Sequence, residues 1–228
     1  MTPVRKAPLR KARTPLPNLV EQTQTAPPPP SQLPLRDDTR RSNLFLDART
    51  ASIFSDRPVT DKELRDIWAL AKWPPTSANT QPLRVLYVRT PEARERLVTH
   101  LSDDNQANTR SAPAVAVLAA DMDFHEHFPG LNPTRPDFKE RLAADEERRH
   151  AQARFNATLQ AGYFLLAVRA VGMVAGATGG FDSEGVDTEF FSNGRWRSLL
   201  VVNIGHPEAN PGRDRLPRLQ EKEVLDWV

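Results

Sequence analysis

Residues 121 to 127 read Asp-Met-Asp-Phe-His-Glu-His. In an extended segment, Asp121, Asp123, His125 and His127 would share one side, because strand side chains alternate between faces. Two carboxylates and two imidazoles on one side are metal-ligand chemistry. The stronger reading is a solvated loop after a strand, since no further matched ligands stand out elsewhere, and no metal is expected. The chain has no cysteine, which removes disulfides, thiolate nucleophiles and cysteine-containing zinc sites together. It also gives no sign of an oxidising compartment. No GxGxxG follows a strand, and GxxxxGK[ST] and GxSxG are absent. Dinucleotide Rossmann, P-loop and hydrolase-elbow readings therefore lack their anchors. The polar stretch Pro75-Thr76-Ser77-Ala78-Asn79 is either a plain connection or a working loop, because loops on rigid scaffolds carry much of protein function.

The elements around these residues follow from capping signals and periodicity. A short helix is expected from Leu44 to Ser52. Thr60-Asp61-Lys62-Glu63 is a capping-box sequence opening a helix with Leu64, Ile67, Trp68 and Ala71 on one face. Pro74 and Pro75 stop it. Val85 to Val88 reads as a strand, and Thr90-Pro91-Glu92 starts a helix with proline at its first position. Ala114 to Ala120 is nearly all apolar, which suits a strand buried on both faces. Residues 139 to 171 read as one or two helices, the second half forming a buried core helix. Arg169, Gly172, Gly176, Gly179 and Gly180 interrupt that apolar stretch short of the ~20 residues a membrane span needs. A strand at 173–175, a helix at 186–191 and a strand at 198–204 complete the pattern. It predicts an α+β fold with a central antiparallel or mixed sheet.

The 228 residues, 39% hydrophobic and 26% charged, fit one globular domain with an additional tail. Residues 1–36 hold nine of the 21 prolines and six basic residues against Glu21 alone, a net +5. Sparse apolar content predicts a disordered arm over residues 1–37 with polyproline II character, ahead of a folded domain over 38–228. Residues 37–228 carry a net −3, so the basic pI is a property of the arm and nucleic acid is not an expected partner. The arm has no apolar stretch of signal-peptide length, and no membrane association is expected.

Three groups of residues bear on function together. The first is Asp47-Ala-Arg49-Thr50-Ala-Ser-Ile-Phe54 with Asp56-Arg57-Pro58-Val59-Thr60. The second is Trp73-Pro74-Pro75-Thr76-Ser77-Ala78-Asn79-Thr80-Gln81-Pro82. The third is Gly179-Gly180-Phe181-Asp182 with Val186-Asp187, then Asn203-Ile204-Gly205-His206 and Arg215-Leu216-Pro217-Arg218. In order and spacing these resemble the flavin-dependent nitroreductase family, most nearly its malonic semialdehyde reductase branch. The resemblance covers residues 40–220. It implies a three-layer fold, a homodimer, a cytoplasmic location, FMN as cofactor and NADH or NADPH as donor.

It also implies site residues. Arg49, Thr50, Arg215 and Arg213 would hold the FMN phosphate through charge-assisted contacts. Pro75, Thr76, Ser77 and Asn79 would meet the flavin ring across the dimer interface. Gly179 and Gly180 would bring backbone N–H to flavin N5, glycine permitting the close approach. Pro74 stands where the family commonly has glycine, and Ala177 where it has proline. The resemblance implies a hydride relay in which the flavin carries the chemistry, with no catalytic side chain. The acceptor implied is 3-oxopropanoate, with nitroaromatics or quinones as the alternative. Arg84, Arg135 and Arg141 are candidates to grip its carboxylate. A flavin-binding protein without turnover, or a partner-binding protein acting through residues 1–36, are the other classes.

Overall fold

Strand β2 (Ala114–Asp121) is buried at every position, as its apolar run requires of a strand covered on both faces. It pairs antiparallel with β1 (Leu83–Val88) on one side and with β4 (Trp196–Gly205) on the other. Strand β3 (Val174–Thr178) pairs antiparallel with the second half of β4, giving the order β1-β2-β4-β3. The computed structural model describes residues 42–208 and 216–228. The arm expected over residues 1–37, with Arg213 and Arg215, lies outside the described residues. Among those described, the sheet is antiparallel throughout.

The helices are α1 (Asp61–Ala71), α2 (Pro91–Val98), α3 (Asp103–Ser111), α4 (Phe128–Leu131), α5 (Phe138–Ala143), α6 (Glu146–Ala170) and α7 (Ser183–Phe190). On one face of the sheet, Leu64 and Ile67 of α1 and Ala157, Ala161 and Phe164 of α6 pack against Ala116, Leu118 and Val202. On the other, Leu97 and Val98 of α2 and Val186 of α7 pack against Val115, Val117 and Val201. The result is three layers, helix–sheet–helix. The stretch 139–171 resolves into two helices, and α6, with 25 residues, is the long core helix. No helix among the described residues is long and apolar enough to cross a membrane.

Two local expectations change. The helix predicted from Leu44 to Ser52 is instead a single π-helical turn, Ser42–Leu46, followed by extended chain. The extended part gives its backbone to the sheet: Ala51 N–H donates to Ala175 O at 3.0 Å and Ser55 N–H to His206 O at 3.1 Å. Trp68 is not part of the buried face of α1; Leu64, Ile67 and Ala71 are buried, while Trp68 is 36% exposed. Alternation by 3.6 residues leaves it at the edge of the apolar stripe.

The capping box of α1 is complete. Glu63 N–H donates to Thr60 Oγ1 at 3.2 Å, and Thr60 N–H donates to Glu63 Oε2 at 2.8 Å. That backbone N–H is the largest of the influences holding the Glu63 carboxyl below its ordinary value of 4.5, with His206 and Arg57 acting in the same direction. A carboxyl lowered in the folded state stabilises above its unfolded pKa and loses that contribution as pH falls through the folded value. Denaturation midpoints measured from pH 7 down to pH 3 should therefore show a loss below about 4.5 that Glu63→Gln reduces, on the order of the ~1 kcal/mol typical of a cap. Identical acid-side slopes for the two proteins would contradict this.

Candidate cofactor site

The extended segment around Thr50 lies against β3 so closely that a Cβ on Gly176 would stand on the carbonyl oxygen of Ala51. Glycine is required there by contact, not by its dihedral angles. Docked this way, the chain turns Thr50 and Ser52 into a cavity of about 370 Å³. Helix α3 contributes Asp104, Asn105 and Asn108, the end of β3 contributes Gly176 to Thr178, and β4 contributes Asn203. The volume falls within the range of small-molecule and cofactor sites.

The lining is rich in neutral donors and acceptors. Asn203 is 4% exposed, donates through Nδ2 to Thr109 Oγ1 at 3.1 Å, and leaves its buried Oδ1 without a partner among the described residues. A buried acceptor without a donor is costly. Asn105, Asn108, Thr50, Ser52 and Thr178 add amides and hydroxyls of both polarities. Such a set suits the N–H and C=O edge of a planar heterocycle, which is the group a flavin would present. Directly after Thr178, Gly180 O accepts from Ser102 Oγ at 2.9 Å. An added Cβ at Gly180 would meet Asn105 Nδ2 at 2.8 Å, whereas one at Gly179 would meet nothing within 4 Å. Gly180 is thus held against α3, and Gly179 faces open space.

Arg49 falls on the other side of the same extended chain. Its Nη1 donates to Asp47 O at 3.2 Å, and it lines a second cavity of about 340 Å³ with Asp47, Arg169, Met173 and Glu208. The expected phosphate partners Arg213 and Arg215 lie outside the described residues, so within those residues the phosphate group of Arg49, Thr50 and two further arginines is not assembled.

Pro75, Thr76, Ser77 and Asn79 are elsewhere. They precede β1 at one edge of the sheet, whereas Gly179 and Gly180 follow β3 at the other. Three interstrand spacings, about 14 Å, separate the two edges. The turn is internally engaged: the Asn79 side chain donates to Leu131 O at 2.8 Å and accepts from Gln81 Nε2 at 2.7 Å. Tyr163 OH donates to Pro75 O at 3.1 Å.

The three acceptor candidates also separate. Arg84 is taken up by Asp121, at 2.6 Å, and by the carbonyls of Gln81 and Leu83. Arg141 sits 3.4 Å from Asp137 and over the Phe138 ring. Arg135 is exposed, and its guanidinium has no partner among the described residues. The Asp121–His127 stretch is not extended past Asp121; Phe124–His127 is a 3-10 turn. Asp121 there accepts from both Arg84 and Arg195, and among the described residues no group of three or more His, Asp or Glu could hold a metal ion.

Asp104, Asn105 and Asn108 lie in none of the motifs, and Ser52 and Asn203, which stand within the quoted segments, carried no expected role there. One signal was available: Asn203 is a lone amide inside the apolar run Leu199 to Ile204, and a polar residue in a buried strand calls for a partner. Helix α3 carries no such signal, because only Thr109 of its nine residues is buried.

The sequence profile of the nitroreductase family matches residues 46–206. A relative from Streptomyces coelicolor, provisionally named an NADH dehydrogenase/NAD(P)H nitroreductase, is 56% identical over 185 residues, covering 81% of this chain and 92% of its own. One from Leptothrix cholodnii with the same name is 43% identical over 183 residues, covering 80% and 93%. Among solved structures, a nitroreductase from Exiguobacterium sibiricum in complex with FMN matches with a TM-score of 0.71 at 20% identity, over 82% of this chain and 96% of that one. The NADPH:FMN oxidoreductase of Vibrio harveyi, complexed with NAD+, matches with a TM-score of 0.62 at 20% identity, over 80% and 74%. At such identities the structural matches speak for the fold alone.

Proposed function

The chain belongs to the nitroreductase family, and from that premise we propose that it is an FMN-dependent NAD(P)H oxidoreductase reducing a small acceptor. The observation that carries this reading is the polar cavity that ends at Thr178, next to Gly179, and that counts among its lining residues Asn203, whose Oδ1 has no partner among the described residues. FMN, when bound, supplies the hydride transfer between donor and acceptor. The chain's own part is binding and orientation. Thr50, Ser52, Asn105, Asn108 and Asn203 hold the polar edge of the ring, Gly179 leaves room for its N5 side, and Arg49 with the Arg213–Arg215 stretch takes the phosphate.

The separation of Pro75–Asn79 from Gly179 by the width of the sheet supports a homodimer, in which the turn of one copy completes the site of the other. Exposed apolar residues fit that assembly: Phe155 and Leu159 on α6, Trp73 after α1, and Leu216, Leu219 and Trp227 in the last segment. For the acceptor we favour 3-oxopropanoate, on the wording of the Asp47–Thr60 and Thr76–Asn79 segments and on the unengaged Arg135. The shared name of the curated relatives favours nitroaromatics as the second reading.

The test is one preparation. The purified protein is expected to carry a flavin absorbance band, to sediment as a dimer, and to bleach anaerobically with NADH or NADPH. Re-oxidation by 3-oxopropanoate should then outpace re-oxidation by a nitrobenzoate. Failure to take up FMN would sink the oxidoreductase reading; faster turnover of the nitro compound would reverse the order of acceptors only.

A further inference from the structure

Ala78, Asn79 and Gln81 hold φ angles of 53°, 61° and 45°, the left-handed region that crowds the Cβ of any residue but glycine. Three such residues within four positions persist only where the surroundings over-determine them. Two asparagines from distant parts of the chain do so here. Asn156 of α6, fully buried, donates through Nδ2 to Gln152 O at 3.0 Å, which orients its Oδ1 to accept from Ser77 N–H at 2.7 Å. Asn132 accepts at Oδ1 from Thr134 Oγ1 at 2.6 Å, which orients its Nδ2 to donate to Ala78 O at 3.1 Å. The bond from Asn79 Nδ2 to Leu131 O makes the link to the end of α4 reciprocal. A connection between α1 and β1 needs none of this, since glycine at positions 78 and 81 would turn the chain without strain. With Ser77 N–H and Ala78 O engaged, Ser77 is exposed and its hydroxyl has no partner among the described residues.

We propose that Asn132 is a positioning residue for the flavin ring: with Asn156 as the fixed anchor, it holds the Pro75–Gln81 turn in the strained shape that presents Ser77 to the ring. This rests on the FMN reading given above. It adds that the connection between β2 and α6, which carries Asn132 and Arg135, is mechanically joined to the flavin-contacting turn.

The test titrates apoprotein with FMN by fluorescence quenching, for the wild type, Asn132→Ala, Asn132→Asp and Ala78→Gly, with apoprotein melting curves and flavin midpoint potentials beside each. Both Asn132 variants should raise the dissociation constant about ten-fold, the worth of one hydrogen bond, and shift the midpoint potential while melting close to wild type. Ala78→Gly should melt at or above wild type, because strain is relieved, yet bind FMN more weakly because the turn is loosened. The proposal is overturned if wild type binds FMN and all three variants bind it equally well. It is overturned also if affinity falls only in step with melting temperature. A wild type that takes no FMN overturns the oxidoreductase reading itself, a result distinct from either.

Discussion

Replacing Asp121 with alanine should destabilise the protein by about 3–5 kcal/mol, the cost of removing one partner from a buried ion pair and stranding the other. Asp121 is fully buried at the end of β2. Its Oδ2 accepts from Arg84 Nη2 at 2.6 Å and its Oδ1 from Arg195 Nε at 2.9 Å and Asp123 N–H at 2.9 Å. The two arginine side chains are only 21% and 28% exposed, so solvent replaces the carboxylate only in part. Burial already works against the charge of Arg84, while the hydrogen bond to Asp121 is the main support of the charge on Arg195. Removing the carboxylate leaves Arg195 with Glu126, at 2.8 Å, and Arg84 with only the Gln81 and Leu83 carbonyls, the two cations facing each other across the gap. Asp121→Asn, which keeps the shape and the acceptor for Asp123 N–H, should fall between. Against a typical total stability of about 5–15 kcal/mol, the alanine variant is expected to unfold at a much lower urea midpoint. A shift equivalent to less than about 1 kcal/mol, the scale of a surface pair, would mean the cluster is solvated. The same geometry engages the Arg84 guanidinium with Asp121 and the Gln81 carbonyl.

Gly176→Val should separate binding from folding. The added side chain would occupy the position of the Ala51 carbonyl, and backbone cannot yield as a flexible side chain can. Overpacking of this kind costs about 1–3 kcal/mol. The strain can be released by peeling the extended segment off β3, breaking the bond from Ala51 N–H to Ala175 O. That movement withdraws Thr50 and Ser52 from the cavity. FMN affinity should therefore fall by roughly the same free energy, about 10- to 100-fold, while the sheet, built from other pairings, stays formed by far-UV circular dichroism. Unchanged FMN affinity in a folded Gly176→Val protein would place the cofactor elsewhere.

What the sequence determined by itself was what short-range physics controls. The capping box at Thr60–Glu63, the proline opening α2 at Pro91 and the doubly buried strand from Ala114 depend on neighbours within one or two turns, so their signals sit in contiguous residues. The same holds for the family, whose three segments are each local wording. What lies across the sheet follows from contacts between residues far apart in the chain. Whether Arg84 is free depends on Asp121, 37 residues away; whether Thr50 faces a cavity depends on Gly176; whether the Pro75–Asn79 turn is strained depends on Asn132 and Asn156. The segment from Leu44 to Ser52 shows the rule from the other side. Its composition permits a helix, but the backbone groups of Ala51 and Ser55 find partners at Ala175 and His206, and a buried strand edge must have its hydrogen bonds met. Local preference is worth tenths of a kcal/mol per residue, and an unmet buried backbone group costs about 1–3 kcal/mol; the sheet edge wins.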